Sequence, residues 1–297
     1  MATKLIFVHG RSQEGRDPAA ILKEWKDALT IGLGKRAESF FDKVEVKLPF
    51  YGDVLDQYAQ QLDESIPADI VVRGEGGVTD TEYKEFVSEI CKLVQENLQI
   101  TGEQLAALAT ADVLHRGPEN WGWVQALLQA ADAIPGISAY SIQRVTRDVY
   151  IYLSRSKVRG HINRIVEDAI KNQGPVVVVG HSLGSVVGYD VLRSNADLEV
   201  SSYITIGSPL GVGPIMRVLR PINYPSRVRK WFNAYDDRDV VALNPLDTKY
   251  FPVQGGTVEN YDKVRNRTDN AHGISGYLSD SLVGDRLFEA VMAATTP

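Results

Sequence analysis

Among 297 residues the chain has one cysteine, Cys91, so no disulfide can form within it. That usage fits a reducing compartment, and the apolar helical face around Cys91 marks a buried structural thiol. No apolar run approaches the roughly 18 residues that a membrane span needs. Met1-Ala2-Thr3-Lys4 passes straight into Leu5-Ile6-Phe7-Val8, which His9-Gly10 ends too soon for a signal peptide. A cytoplasmic location is the expectation. Basic excess is also lacking: the formal net charge is −6 and no basic face is segregated, which argues against a nucleic-acid partner. The densest basic cluster, Arg227, Arg229 and Lys230, leads into a strand and reads as its solvated edge. There is no internal repeat, and no His/Cys/Asp cluster has metal-ligand spacing, so no metal or organic cofactor is expected. Arg73-Gly74-Glu75-Gly76-Gly77 lacks the spacing of a phosphate-cradling motif and reads as a loop, with Thr79 or Asp80 capping the next helix.

What the chain does contain is organised around Val176 to Tyr189. Four consecutive valines read as a fully buried strand, and Leu183, Val186, Val187 and Val191 then recur at helical spacing. The turn between them, Gly180-His181-Ser182-Leu183-Gly184, fits G-x-S-x-G. A serine on so sharp a strand-to-helix turn is held in a strained conformation with its hydroxyl free, and the two glycines let neighbouring backbone pass close. The helix opening behind Ser182 also aims unpaired N–H groups and the positive end of its dipole at any oxyanion formed there.

With 44% hydrophobic and 24% charged residues, the chain can bury one large core, or a core with an insertion. Leu5 to Val8 is a strand ending at His9-Gly10-Arg11, and the Arg11 N–H is the candidate to join that of Leu183 in an oxyanion hole. Pro18 opens a helix with Ile21, Leu22, Trp25 and Leu29 on one face, ended by Gly32 and Gly34. Val44, Val46 and Leu48 alternate as a strand with one wet face.

Residues 53–154 are amphipathic and helical in pattern, too long for a connection and so a folded insertion. Phe86, Val87, Ile90 and Val94 share a face, as do Leu105 and Leu108, until Asp112 breaks that stripe. Trp121, Trp123, Tyr140, Tyr150 and Tyr152 read first as core and second as substrate lining. Tyr203 to Ile206 and Val228 to Tyr235 are further strands. Strands alternating with helices imply a doubly wound, mostly parallel α/β sheet.

The order required of this elbow is Ser, then acid, then His, with the groups at the carboxyl ends of strands. Of five histidines (His9, His115, His161, His181 and His272) only His272 follows Ser182, so it is the candidate base. Asp236, Asp237 and Asp239 all lie beyond the strand ending near Tyr235. Asp239 is chosen as the acid, because Val240-Val241 would anchor it, with Asp236 the runner-up.

These segments, with Gly207-Ser208-Pro209-Leu210, resemble the α/β-hydrolase superfamily, particularly its lipase- and esterase-like members. The likeness covers a core of residues 1–52 and 155–297. It implies a Ser182–Asp239–His272 triad, oxyanion donors at Leu183 and Arg11, and a helical cap or lid over 53–154. Two departures stand out: Asp239 is followed by Val240 rather than Pro, and the first loop lacks the HGGG form.

The function expected is ester hydrolysis through an acyl-enzyme on Ser182, on small-molecule or lipid esters. Thioester or peptide hydrolysis would use the same residues. A non-catalytic ligand-binding module is the alternative from another class.

Overall fold

The computed structural model describes residues 2–10, 13, 15–65, 81–171 and 174–295. Its centre is a six-stranded sheet, all of it parallel, in the order β2-β1-β3-β4-β5-β6. The strands are β1 (Thr3–Val8), β2 (Val44–Lys47), β3 (Val176–His181), β4 (Ser202–Ile206), β5 (Trp231–Ala234) and β6 (Glu259–Tyr261).

Both faces are covered by helices, and the strand sequences show why. Successive side chains of a strand point to opposite faces, so an unbroken apolar run supplies two cores at once. Leu5, Phe7, Val177, Val179, Ile204 and Ile206 pack with helix α1 (Pro18–Leu33) and the C-terminal helix. Ile6, Val8, Val176, Val178 and Tyr203 face the helices of the other layer. That layer comprises α2 (Gly52–Ser65), α3 (Thr81–Leu98), α4 (Trp121–Asp132), α5 (Ala139–Ser154), α6 (Ser156–Ile170) and α7 (Leu183–Ser194). The C-terminal helix is α8 (Ser281–Thr295). The arrangement is α/β and compatible with a doubly wound fold.

The chain places β2 on one side of β1 and then crosses over to set β3 on the other. The reversal leaves a crevice at the carboxyl ends of β1 and β3, where open α/β sheets bind ligands. His9-Gly10 and Ser182 lie immediately beyond those two strand ends.

Among the described residues, the helices over 52–154 show no apolar core apart from the sheet. Phe86, Val87, Ile90, Trp123, Leu127, Val149 and Tyr152 belong to the same buried cluster as Val178, Leu183 and Val187. A buried charge fastens the two parts. Asp190 on α7, with its side chain 2% exposed, forms ion pairs with Arg159 of α6 and with Arg193. It also accepts hydrogen bonds from Tyr152 Oη (3.0 Å) and Asn163 Nδ2 (2.8 Å).

Several expectations need correction. Gly32 does not end α1; a Cβ there would come within 2.3 Å of the Leu278 carbonyl, so it is a close-packing position, and Gly34 (φ 56°) is the C-cap. Leu108 is 45% exposed and Tyr140 60%, so neither is core. Val228 pairs only as an isolated bridge to Val200, and β5 starts at Trp231. The edge strand β6 was not anticipated, since Glu-Asn-Tyr carries no apolar run. Arg73 to Gly77, Thr79 and Asp80 lie outside the described residues. Among those described, no helix is long and apolar enough to cross a membrane, and no cluster of His, Cys, Asp and Glu could hold a metal ion.

Candidate active site

Ser182 stands between β3 and α7 with φ 54° and ψ −129°. A side chain in this region is strained, and such strain persists only where the surroundings over-determine it. Here they do. The Ser182 N–H donates to the Ile206 carbonyl (3.3 Å). Its own carbonyl accepts from the Ser185 N–H (2.9 Å) and from Ser185 Oγ (2.6 Å), which also lies 2.7 Å from Ser208 Oγ.

The two elbow glycines are required by contact. A Cβ on Gly184 would come within 2.1 Å of the Val8 carbonyl oxygen, and one on Gly180 within 2.7 Å of Ser185 Cα. Gly184→Ala is therefore expected to destabilise the protein by about 1–3 kcal/mol through overpacking, because the obstacle is backbone. A guanidinium melt unchanged from wild type would contradict it.

The three sequence-derived side chains are brought together. His272 Nδ1 lies 2.8 Å from Asp239 Oδ2, and its Nε2 lies 2.8 Å from Ser182 Oγ. A carboxylate can only accept, so Nδ1 carries the proton and Nε2 is left bare to take one from the serine. Asp239 Oδ1 accepts from the N–H groups of Val241 (2.9 Å) and Ala242 (3.3 Å), so the anchor is one residue further along than the expected Val240-Val241. Burial opposes the Asp239 charge, but the adjacent His272 and the hydrogen bonds from His272, Tyr277 and Val241 outweigh it and hold the carboxyl below its ordinary value.

Asp236, the other candidate, is committed elsewhere. Its Oδ2 accepts from both Arg238 Nη2 and the Asn266 N–H, each at 2.6 Å.

Leu183 is the first residue of α7, so its N–H has no partner within the helix. The second expected donor, Arg11, lies outside the described residues, but Gly10 before it runs against the nucleophile. A Cβ on Gly10 would sit 2.9 Å from Ser182 Cβ. His9 pins this loop: Nδ1 donates to the Gly10 carbonyl (2.6 Å), Nε2 accepts from the Tyr51 N–H (3.1 Å), and the ring stacks on Tyr51 at 4.0 Å. Burial takes the His9 pKa down to about 4.

Sequence reasoning missed three supports of the base. The His181 ring stacks on His272 with centroids 4.8 Å apart, and its Nε2 donates to the His272 carbonyl (2.9 Å). Burial, and then the neighbouring His272, take its pKa down to about 3, so it stays neutral at pH 7. Gly207, at φ 56°, leaves the space where Tyr277, Asp239 and His272 meet; a Cβ there would lie 3.0, 3.2 and 3.3 Å from them. Tyr277 Oη donates to Asp239 Oδ2 at 2.6 Å. The signals were thin: a histidine at the second position of the elbow, a strand-ending glycine, and a tyrosine five residues after His272.

Against family models, curated proteins and solved structures, the chain has no match.

Proposed function

We propose that the protein is a serine hydrolase that cleaves carboxylic esters through an acyl-enzyme on Ser182, on an α/β-hydrolase core capped by the helices of residues 53–154. The observation that carries this reading is the continuous relay from Asp239 through His272 to Ser182 Oγ, with 2.8 Å at each step. His272 Nε2 takes the Ser182 proton as Oγ bonds to the ester carbonyl carbon. The carbonyl oxygen becomes an oxyanion facing the N–H of Leu183 and, in this reading, that of Arg11. As the ester C–O bond breaks, the imidazolium returns its proton to the leaving alcohol. Water then attacks the acyl-enzyme with the same base, releasing the acid and restoring Ser182.

The acyl group expected is apolar. Beside the Asp239 loop, Val240 and Val241 line a crevice with Pro209, Val212, Ile142 and Ile90. Its volume is about 20 Å³, room for little more than one water-sized guest. Each methylene buried there contributes roughly 0.8 kcal/mol, but a long chain would have to part the helices first.

Acetyl and butyryl esters of p-nitrophenol are therefore expected to turn over faster than decanoyl or palmitoyl esters. A rate climbing steadily with chain length would overturn the short-chain preference and favour lipid substrates. No turnover of any ester would count against the hydrolase reading itself.

A further inference from the structure

Tyr277 sits on the short helix Ile274–Leu278, so one segment of chain carries both the base and this tyrosine. Its side chain is fully buried, with two polar contacts. The phenol donates to Asp239 Oδ2 (2.6 Å), and its oxygen accepts the Asp236 N–H (3.1 Å). That N–H leaves the phenol proton only one direction, toward the carboxylate. Oδ2 is also the oxygen that receives the His272 Nδ1–H at 2.8 Å. Among the described residues the carboxylate thus has four donors, two on each oxygen.

A hydrogen bond to a charged group is about twice as strong as a neutral one, and each additional donor disperses charge that would otherwise act on the imidazolium. Resting on the hydrolase reading above, we infer that Tyr277 is a positioning residue for the triad: it fixes the Asp239 carboxylate and weakens its hold on the His272 proton, setting the pH above which the base is free to act.

Among the described residues, the other titratable groups near the pair leave this role to Tyr277. From the β1 end comes His9, and from the elbow His181, both neutral at pH 7. From the β5 loop comes Asp236, whose charge is matched by Arg238. Asp237 on the same loop is exposed and paired with Arg265.

The test is the pH dependence of inactivation by a fluorophosphonate probe, which needs no knowledge of the substrate. Tyr277→Phe removes one donor from Oδ2, so the acid limb is expected to move to higher pH by about 0.5 unit or more. A fluorinated tyrosine at the same position is a stronger donor of nearly the same volume, and is expected to move the limb to lower pH. Because it keeps both hydrogen bonds, it guards against a phenylalanine variant that fails to fold. Opposite shifts support the inference. Profiles that superimpose on wild type, with or without a lowered melting temperature, overturn it and leave Tyr277 as packing alone. A wild type that never labels would instead count against the hydrolase reading, a separate failure.

Discussion

Exchanging Ser182 for alanine is expected to lower ester turnover by about 10⁶-fold, and His272→Ala by a similar factor, because either change removes the covalent route entirely. Asp239→Asn is expected to cost about 10⁴-fold. The amide oxygen would stay on the Val241 and Ala242 N–H groups, so its NH2 would donate to Nδ1 and favour the tautomer that puts a proton on Nε2, where the serine proton has to go. Combining any two of these changes should give little further loss, since the three groups act as one unit. The measurement is kcat/KM on a short-chain ester. Losses that multiply in the double variant would show three independent contributions and contradict a relay.

The largest effect on stability is expected at Asp190. Removing its carboxylate in Asp190→Ala leaves the Arg159 and Arg193 guanidinium groups beside an apolar layer with their main partner gone, and breaking one side of such a buried pair typically costs 3–5 kcal/mol. Burial works against the Asp190 charge, but Arg159, Asn163 and Arg193 outweigh it and lower the pKa from 3.8 to about 2. A depressed carboxyl pKa means that the folded state binds the proton more weakly than the unfolded chain. The stabilisation is therefore complete above pH 3.8 and is lost as pH falls toward 2. The difference in unfolding free energy between wild type and Asp190→Ala should hold steady from pH 7 to 5 and narrow below pH 4. A difference that stays flat as pH falls below 4 would show that Asp190 is not held as an ion.

The core of the site was legible in the sequence because its physical demands are local. A strand buried on both faces needs apolar residues throughout, and the turn after β3 needs glycines where backbone crosses at 2.1 Å from a would-be Cβ. Position in the chain then singled out His272, because the other four histidines precede Ser182 or adjoin it. The choice between Asp236 and Asp239 was less legible. Both are buried acids of one loop, and only tertiary contacts show Asp236 held by Arg238 and Asn266 while Asp239 reaches the imidazole.

Other features depend on long-range packing that no local pattern reports. Tyr277 carries no local signal of a role, because its hydroxyl meets a carboxylate 38 residues away. Gly32 resembled a helix stop because a glycine so near a C-terminus usually is one. Its actual constraint is the approach of the Leu278 carbonyl and of Gly284, whose own would-be Cβ meets the Gly32 carbonyl at 2.4 Å. β6 escaped notice because an edge strand only three residues long needs no hydrophobic run of its own.

The central claim is that Ser182 is an activated nucleophile, and the most direct measurement is covalent labelling of the purified protein with a fluorophosphonate probe, followed by peptide mapping. The account predicts one adduct, on Ser182, absent from Ser182→Ala and strongly diminished in His272→Ala. Wild-type protein that stays unlabelled where a control serine hydrolase reacts, or that carries its adduct on another residue, would contradict it.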